Sequence, residues 1–228
     1  MTLRTHLPRL AVLYADDHVA AVDKPSGLIV HRGLGTDKVV VMTLLRDQLG
    51  GRHVYPVHRL DRGTSGALIF ALSSEAARIL QASFETGLVT KRYLALVRGV
   101  CPEAAHIDHP VPRCEDGERV DAVTDVRRLG VVQLEIGSFS LVEATPFTGR
   151  YHQIRRHLKH LNHPLVGDVR YGRGEINRYF RERFGLHRLA LHAASISFPH
   201  PASSQMLSVE APIPDDLSAV FGLFGSCK

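Results

Sequence analysis

Cysteine is scarce in this sequence of 228 residues: Cys101, Cys114 and Cys227 are odd in number and lack a Cys-x-x-Cys spacing. They support neither a disulfide framework nor a thiolate zinc cluster, and they fit a reducing compartment. Long apolar runs are also missing. The longest stretch free of Asp, Glu, Lys and Arg, residues 189–209, carries His192, Pro199, His200, Pro201 and several serines, so it is not a membrane span. Near the N-terminus the apolar run 11–15 is too short for the core of a signal peptide. There is no linker-like stretch, internal repeat, low-complexity tract or heptad run. With 44% hydrophobic and 22% charged residues, the expectation is one compact domain over 1–228, cytoplasmic, without a membrane partner and monomeric by default.

Acidic residues are few in one region. Between Arg150 and Arg188, ten Lys and Arg face only Asp168, Glu175 and Glu182, a local charge of +7 that leaves the rest of the chain at −2. A solvated helical surface would look like this, and so would a face that binds a polyanion.

Short apolar runs bounded by Gly and Pro predict strands at 19–23 and 67–72. Ser73 and Ser74 can cap a helix over 75–84. Residues 91–98 alternate, with Tyr93, Ala95 and Val97 on one face. Two strands, 131–136 and 139–144, are expected to join at Gly137-Ser138. Thr148 is expected to cap a helix over 150–161, stopped by Asn162 and Pro164. A short amphipathic helix follows Pro214, through Leu217, Val220 and Phe221. The polar segment 101–129 is expected to be an exposed insertion. Strands outnumber helices and several are joined by short turns, so the fold class is α+β, with a mixed, mainly antiparallel sheet flanked by helices.

Three polar constellations sit between the apolar runs. In His58-Arg59-Leu60-Asp61-Arg62-Gly63-Thr64-Ser65-Gly66, an aspartate between two arginines leads into a buried strand. Opposite charge favours its ionised form, which can serve as nucleophile or base, although Asp and Gly also simply make turns. The Gly-x-Ser-x-Gly spacing is not met, so Ser65 is read as structural. In Lys91-Arg92-Tyr93, a tyrosine offers a ring and a hydroxyl, or plain core packing. The stretch from Thr148 to Leu158 is a Gly-led turn into a helix, with Arg150, Arg155 and Arg156 able to hold phosphate or carboxylate. Ile154, Leu158 and Leu161 supply its buried stripe.

Fourteen histidines raise the question of a metal, above all His157, His160 and His163. At roughly 100° per residue their side chains fan over about 120° of a helix. That converges poorly on a tetrahedral ion, and His-Glu-x-x-His is absent, so no metal site is expected.

Taken together, the sequence resembles the RluA-type pseudouridine synthase family. The resemblance rests on Asp23-Lys24-Pro25-Ser26-Gly27-Leu28, the loop from His58 to Gly66, Lys91-Arg92-Tyr93, Thr148 to Leu158, His163-Pro164-Leu165-Val166-Gly167-Asp168 and Leu189-x-Leu191-His192-Ala193, in that order. It implies the catalytic fold of that family and isomerisation of uridine to pseudouridine in RNA. Asp61 would be the essential carboxylate, Arg155 its ion-pair partner, and Tyr93 a stacking residue that takes part in removing the C5 proton. Arg59 would fill the gap left by the flipped base. Arg62, Lys91, Arg150, His152, Arg156 and Lys159 are expected to line the RNA. No redox or group-transfer reagent is required, so no cofactor is expected. The segments begin at Asp23, so no separate N-terminal RNA-binding domain is expected. Arg155-Arg156 and the stretch from Arg178 to Leu189 are most similar to a branch acting on uridine-65 of tRNA. Large-subunit ribosomal RNA is the alternative substrate, and a non-catalytic RNA-binding module is the alternative of another class.

Overall fold

The computed structural model describes residues 9–32, 37 and 39–225; Cys227 lies outside them. In chain order the elements are β1 (Ala11–Ala15), β2 (Val19–Lys24), α1 (Val41–Gln48), β3 (Tyr55–Pro56), β4 (Ser65–Ala71), α2 (Ser74–Glu85), β5 (Thr90–Arg98), β6 (Ala104–Asp108), β7 (Val111–Pro112), β8 (Arg119–Val120), β9 (Val123–Leu134), β10 (Gly137–Pro146), α3 (Gln153–His160), α4 (Gly174–Phe184), β11 (Leu191–Pro199), β12 (Met206–Glu210) and α5 (Asp215–Phe221). A short 3-10 turn, Gly222–Phe224, follows.

One sheet organises the molecule, in the order β1-β2-β4-β11-β5-β10-β9-β6, with β12 on β11 and β3 on β4. Its pairs are antiparallel except β4 with β11. β7 and β8 form a separate ribbon. The α+β expectation therefore stands. β2 and β4 are apolar along almost their whole length because both faces of the sheet are covered. Val22, Leu68, Phe70 and the β5 residues Tyr93, Ala95 and Val97 join one core with Leu44 and Leu45 of α1 and Ile154 and Leu158 of α3. Alternate residues Ala21, Ile69 and Ala71 meet Ala76, Ala77 and Leu80 of α2. Further along the sheet, Leu96, Phe139 and Leu141 pack on Phe180 of α4 and on Leu217 and Val220 of α5.

Capping follows side-chain chemistry. Ser73 Oγ accepts the Ala76 amide at 3.1 Å and starts α2. α3 closes with Asn162 at φ 63°; the His163 amide bonds Leu158 O at 2.8 Å and the Asn162 amide bonds Lys159 O at 2.9 Å, a Schellman ending.

Four expectations need correction. α3 begins at Gln153, not at 150, because His152 adopts φ 53° and breaks the turn before it; Thr148 is no cap but donates its hydroxyl to Gln153 Oε1 at 2.7 Å. The β9–β10 turn falls at Glu135-Ile136, with Gly137 already paired to Leu134. β9 starts at Val123, well before 131. Segment 101–129 is not an exposed insertion: it adds β6 and the start of β9 to the sheet and buries Cys101, Ile107, Val111, Ala122 and Val126. Its charges misled because Asp125 and Arg127 are the outward half of an alternating strand whose inward half is Thr124 and Val126.

Candidate active site

Asp61 lies in the turn between β3 and β4, and that turn is held from behind. Its Arg62 carbonyl accepts the Gly27 amide at 2.8 Å and Lys24 Nζ at 3.3 Å, and its Gly63 carbonyl accepts Ser26 Oγ at 3.0 Å. Lys24 is fully buried and also donates to Pro25 O and Leu28 O, at 2.9 and 2.7 Å. Burial, with Arg188 nearby, brings its pKa down to about 7. The motif from Asp23 to Leu28 is thus a clasp on the Asp61 turn. At the other side, His58 Nε2 accepts the Ile69 amide of β4 at 3.1 Å, and its ring packs on Phe84. Burial, reinforced by Lys91, holds this imidazole neutral, its pKa down to about 3. Gly66 has φ +114°, and a Cβ there would overlap the carbonyl of Ala193. Glycine is required for β4 to approach β11 in the register that pairs Ser65 with His192.

Arg155 projects from α3 into the same place. Its NH1 donates to Asp61 Oδ2 at 3.1 Å, while Nε and NH2 donate to Asp168 Oδ2 and Oδ1 at 2.8 and 2.9 Å. Asp168 is buried, which alone would raise its pKa; bonds from Arg155 and from the amides of Tyr171 and Arg170 outweigh burial and lower it. Asn177 of α4 fixes the backbone on either side, accepting the Gly167 amide at 2.8 Å and donating to Asp168 O at 3.0 Å. The guanidinium is therefore aimed by a two-pronged carboxylate and reaches Asp61 with one nitrogen. No hydrogen bond of Asp61 Oδ1 is found among the described residues.

His152 and Tyr93 complete the surroundings. His152 Nε2 stands 3.9 Å from Asp61 Oδ2, and its Nδ1 is 3.1 Å from the Tyr171 hydroxyl. Its ring stacks on Tyr151 with centroids 3.8 Å apart. Burial brings this imidazole down to about 4, so at neutral pH it is uncharged. Tyr93 is buried on β5, and burial together with the charge of Asp61 raises its phenol, which stays protonated. The arrangement is one carboxylate with one charged partner, beside a neutral phenol.

The remaining candidates divide. Arg59 is exposed, with no ion pair among the described residues. Arg62 is also exposed but is engaged by Asp37, at 2.9 and 2.8 Å. Lys91, expected against RNA, is instead buried: Nζ donates to Thr148 O at 3.1 Å, and burial lowers its pKa to about 8. Arg150 is exposed and donates to Asp121 O. The cations of Arg156 and Lys159 lie 5.2 and 5.7 Å from the Tyr171 ring. Within the basic segment, Arg155 and Arg188 turn inward, Arg188 toward Ser65 Oγ and Leu191 O. Arg173, Arg178, Arg181 and Arg183 stay exposed along α4. His157 bonds Thr124 and the His109 carbonyl, His160 stacks on His109, and His163 bonds Arg98 O, so the three imidazoles serve separate contacts.

Sequence reasoning missed Asp168 as the anchor of Arg155, and Tyr171 as the ring around which Arg155, Arg156, Lys159 and Arg170 gather. The available signal was Arg155 itself. An arginine on a helix face shared with Ile154 and Leu158 needs a buried counter-charge.

Residues 18–160 match the sequence profile of the RNA pseudouridylate synthases. The chain belongs to the RNA pseudouridylate synthase family. Among relatives of this synthase, "tRNA pseudouridine synthase C" of Vibrio cholerae is 42% identical over 95% of this chain and 96% of its own length. The protein of that name from Haemophilus ducreyi is 40% identical over 95% and 96%. The solved structure of human RNA pseudouridylate synthase domain containing 1 superimposes with a TM-score of 0.75 at 28% identity, over 95% of this chain and 88% of that one. A pseudouridylate synthase isomerises uridine to pseudouridine in RNA. No helix among the described residues is long and apolar enough to cross a membrane.

Proposed function

We propose that this synthase forms pseudouridine in tRNA, at uridine-65, with Asp61 as the essential carboxylate. The observation that carries the reading is the Asp61–Arg155 pair at 3.1 Å beside buried Tyr93. The relatives named for tRNA, at about 40% identity over nearly the whole chain, favour that substrate.

Isomerisation breaks the N1–C1′ bond, turns the base and joins C5 to C1′; the C5 hydrogen leaves as a proton and N1 gains one, so atoms and electrons balance without a redox reagent. Hydrolysis of a glycosidic bond ordinarily uses two flanking carboxylates, whereas this rearrangement needs one. Arg155 holds one oxygen of Asp61 and leaves the other for the nucleotide. Tyr93 stacks on the flipped base, and its hydroxyl relays the C5 proton, taking it as it gives its own to the carboxylate of Asp61. Flipping costs a few kcal/mol, which stacking at ~1–3 kcal/mol per base offsets, with Arg59 filling the vacated gap. Asp61, Tyr93 and Arg155 come from one chain, so the reading needs no second copy, and tRNA places the enzyme in the cytoplasm.

The target is tested by incubating a tRNA transcript with the protein, treating it with carbodiimide and mapping reverse-transcription stops. The expected stop reports uridine-65. A stop at another uridine, or modification confined to a ribosomal RNA transcript, overturns the assignment.

A further inference from the structure

A pocket of about 210 Å³ opens between the β7–β8 ribbon and the C-terminal half of α3, and it shares Tyr171 with the Asp61 site. Arg119 of β8 and Arg156 and Lys159 of α3 line it together with His109 and His160, and no carboxylate does. Two acidic side chains of the β7–β8 ribbon are committed elsewhere: Glu118 pairs with Arg113 at 3.2 Å and Glu115 with Arg170 at 2.5 Å. Arg119 is held in position by His109 Nε2 at 2.8 Å and by the Pro110 carbonyl. His109 in turn stacks on His160 with centroids 3.8 Å apart. Arg156 Nε is shielded from solvent and has no hydrogen-bond partner among the described residues.

Three positive charges thus line one cavity with no carboxylate among its lining residues. Such an arrangement repels itself until an anion enters, and guanidinium forks with an ammonium are the donors that suit phosphate oxygens. The Tyr171 hydroxyl bonds His152, which stands 3.9 Å from Asp61. An anion here is therefore separated from the reacting nucleotide by the side chains of Tyr171 and His152. We propose that this pocket binds a backbone phosphate of the substrate strand, flanking the target uridine, and so fixes which base along the strand reaches Asp61. The proposal rests on the reading of the chain as an enzyme acting on RNA.

The test measures binding of full-length protein to a tRNA transcript as a function of salt, for wild type, Arg119→Ala/Lys159→Ala and the charge-keeping pair Arg119→Lys/Lys159→Arg. Release of tritium from C5-labelled tRNA is followed on the same samples. Losing two cationic contacts to phosphate flattens the slope of log K against log salt by roughly 1.4–1.8, and the charge-keeping pair returns the wild-type slope. Both side chains are exposed, and an unchanged thermal midpoint establishes that the alanine variant is folded. A wild-type slope in the alanine variant overturns the subsite and, if tritium release persists, leaves the proposed activity standing. An altered slope in both variants also overturns it, since charge would then not be what binds. No tritium release by wild type overturns the proposed activity, and the slopes still decide the subsite.

Discussion

Asp168 holds Arg155 through two of its nitrogens and leaves the third for Asp61. Asp168 is withdrawn from solvent and Arg155 nearly so, so the pair acts as a fixed strut between α3 and the loop that follows it. Removing one member of a buried pair strands the other. Asp168→Asn is expected to cost about 3 kcal/mol in urea denaturation and to lower kcat at least tenfold with little change in KM. Asp168→Glu should recover part of the activity. Wild-type kcat in Asp168→Asn would show that Arg155 needs no such anchor.

Tyr93→Phe separates the ring from the hydroxyl. The ring belongs to the core shared by α1 and α3, so the fold and RNA affinity should survive. Loss of a proton-transferring group costs typically 10²–10⁴-fold in rate, and turnover should fall within that range. Single-turnover assays at saturating RNA read it directly, and an undiminished rate removes the hydroxyl from the chemistry.

His58 predicts a pH dependence of stability. Its pKa drops on folding from the ordinary 6.5 to about 3, through burial and Lys91. The unfolded chain therefore binds the extra proton, and stability, full above pH 6.5, declines as pH falls toward 3. Protonation would also forfeit the bond accepted from Ile69. Urea midpoints at pH 7.5 and 4.5 should differ in wild type and differ less in His58→Gln, whose carbonyl can accept the same amide. Equal pH sensitivity in both proteins would assign the effect to other groups.

The apolar punctuation of the chain made β2, β4, α2 and β5 readable within about two residues, because each is buried on at least one face and bounded by Ser, Gly or Pro. The start of α3 was not readable, since it depends on His152 taking a left-handed conformation that its neighbours impose. Segment 101–129 was misread because an edge strand such as β6, exposed on one side and short, carries too few inward residues to show its period. Asp61, Tyr93 and Arg155 are separated by long stretches of chain, and nothing local shows that β4, β5 and α3 meet around them. The family resemblance supplied that set. Lys91 shows the limit of reading charge as exposure, because its ammonium is spent on the Thr148 carbonyl.

The most direct test of the account follows the hydrogen that must leave when C5 joins C1′. Transfer RNA labelled with tritium at uridine C5 is incubated with the wild-type protein and with Asp61→Ala, and tritium released to water is counted. Wild type is expected to release up to one equivalent per tRNA and Asp61→Ala none, with both proteins binding the RNA. Equal release by the two would contradict the role of Asp61, and binding without release by the wild type would contradict the activity itself.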